Sequence, residues 1–467
     1  MASPGEGTMV VWDPESKREI RTSGSPEEVF RSGDGRVRVL MHPLFVNSYV
    51  VFVAPRSLLV VDPGLSGTGE RVVETAREWL GEELFERAVL EAVVYTHGHA
   101  DHAFGTHAWV AAGKMPLSVV AHENCRARFE RYRRTRAWNG KINKVQFSLG
   151  SSHWGEGEDG HDDERKGKGK GNDGERDGER DGTEQEQLES YFAIDGLVEP
   201  TVEYRDSMRL VVGGALEVQL RHHKGETDDA TVVLLPQHGV LFTGDLVIWQ
   251  ACNCGNPQKV QRYCLLWARA LQWMASLGCS LLLPGHGYAV AGEGAIARML
   301  QNTSRYLLHL EHETVRLMNL GMTPEDIVER VRPIPELAAL PYLTAGYDHP
   351  SFIVRNILRL YGGWWNGDPA SLLPAPSRLL ARELASAAGG IDALIAHGEK
   401  LLASGDPRLA AHFASFATKA DPNSPRALAL QAAVYERLLT VETALMAQGI
   451  YRYAANQARQ RLHLSRL

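Results

Sequence analysis

The chain has 467 residues, of which 44% are hydrophobic and 23% are charged, and its formal net charge is -7. This composition is typical of a globular protein that is long enough for two or three domains. The acidic balance, together with the lack of a basic helical face, argues against a nucleic-acid partner. No apolar run approaches the roughly 20 residues needed to span a bilayer, and the first residues lack the features of a signal peptide. The sequence therefore predicts an intracellular protein without a membrane partner.

The cysteines and the last three residues bear on the cellular compartment. Five cysteines are an odd number and few for this length, so a disulfide framework is not expected. The pair Cys252 and Cys254 has no second pair that would complete a metal site. The chain ends in Ser465-Arg466-Leu467, a variant of the Ser-Lys-Leu peroxisomal address. We expect a peroxisomal location if the source is a eukaryote and a cytoplasmic one otherwise.

The first predicted elements are strands. Residues 1–35 are expected to form an N-terminal extension, and strands are predicted over 37–40 and 48–53. A third apolar run, 57–61, ends at Asp62 and is followed by a Pro-Gly turn. This pattern indicates a buried strand that places a carboxylate at the edge of a sheet.

A predicted amphipathic helix over 69–87 leads into the strand that precedes the most informative motif. After the apolar residues 92–94, three imidazoles and a carboxylate fall within six residues: His97, His99, Asp101 and His102. Neutral histidine and carboxylate are ligands of divalent metals. A loop after a buried strand can direct several of these side chains to one point. The motif resembles that of the metallo-β-lactamase superfamily.

The resemblance implies an α/β fold, an αββα sandwich that holds two divalent metal ions. His97 and His99 would bind the first ion, and Asp101 and His102 the second. Asp62 would orient a metal-bound histidine. Zinc is the ion we expect, although oxygen-rich coordination also suits manganese and iron.

Three later strand ends supply the remaining implied ligands. The aligned third ligand of the first metal is Glu226, where relatives commonly have histidine. His222 and His223 lie nearby, but neither has the family's spacing, and adjacent strand residues face opposite ways. Asp245 ends an apolar strand at the place of the bridging carboxylate, and His286 matches the last ligand of the second metal. The resemblance also gives Asp101 and Asp245 roles in catalysis.

Two segments between these motifs are predicted not to contribute to the site. Residues 151–187 contain almost nothing apolar and repeat Gly-Glu-Arg-Asp, so they cannot bury enough surface to offset the entropy of ordering and are expected to be disordered. His153 and His161 are therefore not ligand candidates. The arginine-rich helix predicted over 123–138 is interpreted as a solvated face.

The C-terminal third narrows the resemblance to the alkyl sulfatase group. The segments 311–327, 346–356 and 361–370 are similar to sequence motifs of that group's dimerisation domain. Helices with breaks at Gly405 and at Ala420-Asp421-Pro422-Asn423 resemble tetratricopeptide pairs, which need a partner for their apolar faces. The predicted domains are the catalytic domain 36–304, an all-α dimerisation domain 305–445 and a tail 446–467. A homodimer is expected.

The implied activity is hydrolysis of alkyl sulfate esters. Three ligand carboxylates against two divalent ions leave about one positive charge, so a substrate sulfate would need further donors. Asn253 matches one sulfate contact of the group, but Gln258 stands where the group has an arginine. Lys259 or Arg262 are the proposed substitutes.

Alternatives remain open for the chemistry and for the walls of the site. Trp249, Trp267 and Trp273 either line an alkyl channel or belong to the core. The scaffold also suits an acyl thioesterase or a lactonase. A dimeric binding protein with a vestigial site is a third hypothesis, although the intact set of ligands speaks against it.

Overall fold

A computed structural model describes residues 26–43, 46–148 and 197–464. The expectation of disorder over 151–187 and the C-terminal Ser465-Arg466-Leu467 lie outside the described residues. Among the helices of the described part, none is sufficiently long and apolar to cross a membrane.

Two β-sheets form the centre of the N-terminal half. The first sheet has seven strands in chain order and the second has six, in the order β13-β12-β11-β10-β9-β8. The strands are β1 Glu27–Arg31, β2 Val37–Pro43, β3 Asn47–Val53, β4 Ser57–Val61, β5 Val89–Val94, β6 Ser118–His122, β7 Val202–Tyr204, β8 Ser207–Val212, β9 Leu216–His223, β10 Ala230–Leu235, β11 Val240–Gly244, β12 Leu281–Pro284 and β13 Val290–Ala291.

Helices flank the sheets and make up the C-terminal third. Those of the N-terminal half are α1 Gly69–Leu80, α2 Glu82–Arg87, α3 Ala100–Ala103, α4 Thr106–Ala111, α5 Asn124–Arg134, α6 Arg136–Phe147 and α7 Cys264–Ala275. Those that follow are α8 Glu293–Asn319, α9 Pro324–Arg330, α10 Pro335–Ala338, α11 Pro350–Gly362, α12 Pro369–Leu372, α13 Ser377–Ala387, α14 Ile391–Ala403, α15 Pro407–Ala420, α16 Pro425–Leu439 and α17 Leu445–Leu464.

The hydrophobic cores show an αββα sandwich, as expected. One core lies between the two sheets and includes Val51 and Phe242. The outer face of the first sheet packs on α1, α4 and α5, with Trp109 at 0% exposure. The outer face of the second sheet packs on α7 and α8. A separate, smaller core joins α14, α15 and α16, which agrees with the predicted helix pairs.

The domain boundaries differ from the expected ones at three places. Strand β1 pairs with β2, so residues from Glu27 onward belong to the first sheet rather than to an extension. Helix α8 runs through the expected boundary at 304 without a break. Helix α17 occupies most of the expected tail and packs on α16. The apolar side chains of α8 pack on the second sheet and on the C-terminal helices alike, which explains why the helix continues through the expected boundary.

The sheet and helical regions share one core. Leu241 and Leu282 of the second sheet pack in the same cluster as Ile327 of α9 and Ile353 of α11. A continuous apolar core fixes the relative position of its elements more firmly than a flexible linker would. Side chains of the C-terminal helices can therefore shape a site that lies on the sheets.

Candidate metal centre

The predicted metal ligands come together at one edge of the sandwich. Six of them follow the ends of β5, β11 and β12, and the seventh, Glu226, lies in the loop between β9 and β10. Within each of two groups, the ligand atoms all lie within 4.8 Å of one another. The first group is His97, His99, Glu226 and Asp245, and the second is Asp101, His102 and His286.

Asp245 stands between the two groups. Its Oδ2 atom is 3.7 Å from His97 Nε2 in the first group. Its Oδ1 atom is 3.2 Å from His102 Nε2 and 3.4 Å from His286 Nε2 in the second. Each oxygen of this one carboxylate thus faces a different group, which is the geometry that a bridging ligand requires.

Asp62 fixes the orientation of one imidazole. Its Oδ2 atom is 2.8 Å from His102 Nδ1, and it also accepts a hydrogen bond from the Thr96 hydroxyl at 2.7 Å. The Thr96 N–H donates to Asp62 Oδ1 at 2.7 Å. A carboxylate on Nδ1 holds that nitrogen's proton and fixes the ring, so that Nε2 of His102 points toward the second group, where it can bind a metal ion once its own proton is released.

In the metal-free chain, the candidate ligands differ in their protonation states. Burial lowers the pKa of His97 to about 3 and holds the pKa of His99 well below its usual range, so both rings are neutral. Burial raises the pKa of Glu226 to about 8 against the effect of Arg262, and the Asp245 carboxylate adds to the rise. Burial opposes charge at His102, yet the carboxylates of Asp245 and Asp101 raise its pKa well above normal.

The donor set fits divalent ions. Bonds of about 2.0–2.2 Å to nitrogen and oxygen place neighbouring ligand atoms about 3–3.6 Å apart, and the distances from His286 Nε2 to Asp101 Oδ2 and to Asp245 Oδ1 are 3.5 and 3.4 Å. Within the described residues, three buried ligand atoms find no hydrogen-bond partner: His102 Nε2, Glu226 Oε2 and Asp245 Oδ1. Orphaned atoms of this kind are costly unless something binds them. The second group is the more open one, with the Asp101 and His286 side chains 20% and 25% exposed.

Two of the three predicted substrate contacts bond to a metal-ligand candidate. Asn253 Nδ2 donates to Glu226 Oε1 at 2.6 Å, and Arg262 Nη1 donates to the same oxygen at 2.5 Å. Arg262 also donates to the Asn253 carbonyl. Arg262 and Glu226 are both almost fully buried, so this guanidinium pairs with the Glu226 carboxylate and is shielded from solvent.

Lys259, the third predicted contact, keeps more freedom. Its ammonium group is 2.7 Å from Asn143 Oδ1 on α6. Burial, together with Arg262, lowers its pKa to about 8, while the charges of Asp101 and Glu226 raise it. Lys259 therefore lies within electrostatic reach of both groups of ligands.

The alternative ligands His222 and His223, and most of the tryptophans considered as channel residues, lie away from the two ligand groups. His222 stacks on His122 with ring centroids 3.7 Å apart, and His223 packs on Trp273. Trp267 is fully buried in the core. Trp249 lies against Gly287, beside His286, so it is the one of the three predicted tryptophans that borders the second group.

A buried ion pair supports the loop that carries His97 and His99. Arg128 on α5 is 3.0 Å from Asp229 Oδ1, and Asp229 Oδ2 accepts the N–H of Gly98 at 2.9 Å. Gly98 lies between His97 and His99. The interpretation of this helix as a solvated face is therefore wrong for Arg128, whose side chain is 2% exposed; helical spacing alone could not show which arginine faces inward.

The fold and the candidate site indicate the class of protein to which the chain belongs. Residues 42–286 match the metallo-beta-lactamase superfamily, and the chain belongs to that superfamily. Residues 323–461 match the alkyl sulfatase dimerisation domain. The fold and the two groups of ligand residues indicate binding of divalent metal.

Several alkylsulfatases resemble this chain. The linear primary-alkylsulfatase of a Pseudomonas species is 28% identical over 82% of this chain and 69% of its own length. The alkyl/aryl-sulfatase BDS1 of Saccharomyces cerevisiae is 25% identical over 89% of this chain and 62% of its own length. The solved structure of the inverting sec-alkylsulfatase Pisa1 from Pseudomonas has a TM-score of 0.75 at 21% identity, covering 94% of this chain and 66% of Pisa1.

Proposed function

We propose that the protein is a metal-dependent hydrolase of alkyl sulfate esters. The observation that carries the proposal is the pair of adjacent ligand groups with Asp245 between them, on a chain that also has the alkyl sulfatase dimerisation domain. The relatives named alkylsulfatases support the same substrate class. In the reaction, an ester R–O–SO3⁻ and water give an alcohol and hydrogen sulfate.

Seven residues would hold the metal ions, which we propose to be two Zn²⁺. Two ions there would lower the pKa of a water molecule and polarise the ester. Asp62 accepts a hydrogen bond from Nδ1 of His102 and so directs Nε2 toward the second site, and Arg262 with Asn253 holds Glu226 in place. The side at Asp101 and His286 is the more exposed one and would admit the ester, and the Asp101 carboxylate would accept the proton that the attacking water loses.

We propose Lys259, rather than Arg262, as the cation that contacts the sulfate. Arg262 already bonds to Glu226 and to the Asn253 carbonyl. The Lys259 ammonium donates to Asn143, and an ammonium group has three protons to donate. Asn253 has a second amide proton beyond the one given to Glu226, so it remains the proposed neutral donor to the sulfate.

A homodimer is proposed from the helical region. Several apolar side chains of the segment 361–384 are exposed in the single chain, among them Trp364 at 74% and Leu373 at 89%. Large exposed apolar patches mark interaction surfaces. Sedimentation of the wild type and of Leu373→Glu tests this proposal: the wild type should sediment as a dimer and the variant as a weaker one.

The decisive experiment measures sulfate release from dodecyl sulfate by the metal-loaded protein. Parallel reactions contain an acyl thioester, a lactone or a phosphate ester, and each is repeated with chelator and after addition of Zn²⁺, Mn²⁺ or Fe²⁺. We expect sulfate release that chelator abolishes and metal restores. Turnover of the thioester or lactone without sulfate release would replace the proposal. Asp245→Asn should abolish the activity, and Asp406→Asn, at an exposed helix cap, should not.

A further inference from the structure

A buried carboxylate of the C-terminal region bonds to the loop that follows β11. Asp348, just before α11, has 0% exposure. Its Oδ2 atom accepts the N–H of Gly255 at 2.5 Å, and its Oδ1 atom accepts the N–H of His349 at 2.9 Å. The backbone N–H of Cys254 also bonds to this carboxylate. Asp348 thus binds two successive amides of a loop that lies 93 residues earlier in the chain.

The same loop is in backbone contact with α11. A Cβ atom on Gly255 would lie 2.1 Å from the amide nitrogen of Ile353, so only glycine permits this approach. The N–H of Ala251 donates to the Thr344 carbonyl at 3.0 Å. At the other end of the segment, Asn356 of α11 donates to the Arg262 carbonyl at 2.9 Å. The C-terminal region therefore fixes the segment 251–262 at several points.

This segment carries polar groups that contact the first ligand group. Asn253 precedes the two amides that Asp348 binds, and its side chain donates to Glu226. Lys259 and Arg262 belong to the same segment. Any movement of the backbone at Cys254 and Gly255 must move Asn253 relative to Glu226 and to the substrate.

We propose that Asp348 is a positioning residue that sets the place of Asn253 for the sulfate ester, an inference that rests on the proposed function. It is not a catalytic residue, because the bonds of its carboxylate go to backbone N–H groups. A carboxylate is needed since the amides of Cys254, Gly255 and His349 all converge on it as donors, and the N-terminus of α11 favours negative charge nearby. An asparagine would turn one acceptor into an NH2 group that faces a donor.

The test compares Asp348→Asn with the wild type, both loaded with zinc. We expect KM for dodecyl sulfate to rise about ten-fold or more, because bonds to a charged acceptor are lost from the loop. The kcat per bound metal should change less than about two-fold, and the metal content should stay the same. Amide hydrogen exchange of a peptide covering 251–258 should become faster. Asp406→Asn, at the exposed cap of α15, is the matched control and should change none of these.

A general loss of folded protein would instead lower the apparent kcat with KM unchanged, and this result would overturn the proposal. Unchanged exchange in the peptide 251–258 would overturn it as well. If the wild type releases no sulfate, the proposed function fails, and the exchange measurement alone then decides whether Asp348 holds the loop. Asp348→Ser, which keeps one acceptor, serves as the second variant if the asparagine variant does not fold.

Discussion

Replacing Asp62 with asparagine should weaken the second metal site selectively. In the wild type, one oxygen of Asp62 accepts the Thr96 N–H and the other faces His102 Nδ1 and the Thr96 hydroxyl. An asparagine amide must place its NH2 group against either the Thr96 N–H or the protonated Nδ1 of His102. If the NH2 group faces Nδ1 of His102, the ring proton moves to Nε2, where it blocks the electron pair that would bind metal.

The expected magnitude is a loss of about 10–100-fold in affinity for the second ion, the usual cost of losing a carboxylate that orients a ligand histidine. The backbone at residue 62 has a φ of 55°, which asparagine tolerates, so the substitution adds little strain of its own. Competition with a chromophoric chelator gives the two dissociation constants separately. Asp368→Asn, at an exposed cap of α12, is the matched control. Equal losses at both sites, or no loss at either, would refute the role assigned to Asp62.

Three further predictions concern charges around the site. Lys259→Met should raise KM for dodecyl sulfate by about ten-fold. Arg262→Lys should weaken metal binding, because an ammonium group does not reproduce the planar guanidinium whose Nη1 atom bonds both Glu226 and the Asn253 carbonyl. Steady-state kinetics and metal titration distinguish the two effects. Arg128→Ala leaves the Asp229 carboxylate buried without its cation, which should cost about 3–5 kcal/mol of stability in denaturant unfolding; a loss below about 1 kcal/mol would contradict the buried pair.

The clustering of the candidate metal ligands could be predicted from the sequence because most of them follow a short apolar strand. His97, His102, Asp245 and His286 come after strands whose burial is evident from composition, and strand ends at one edge of a sandwich converge. The order of the motifs was then enough to place Glu226 beside His97 and His99, although its residue type departs from the commoner histidine.

The contacts that hold the site residues in place, and some element boundaries, could not be predicted in the same way. Asp348 and Gly255 are 93 residues apart, and Arg128 and Asp229 are 101 apart, so no local sequence pattern indicates either pair. The strand β1 was missed because Glu27–Arg31 is short and mostly polar, with Val29 as its one buried residue. The boundary inside α8 was missed because an amphipathic helix of 27 residues has no sequence break where it passes from one region to the next.

Anomalous X-ray scattering at the zinc edge, from crystals of the zinc-loaded protein, tests the metal centre most directly. The arrangement of ligands predicts two peaks about 3.5–4 Å apart, one beside His97 and His99, the other beside His102 and His286, with the Asp245 carboxylate between them. A single peak, or peaks away from these side chains, would contradict a two-metal hydrolase.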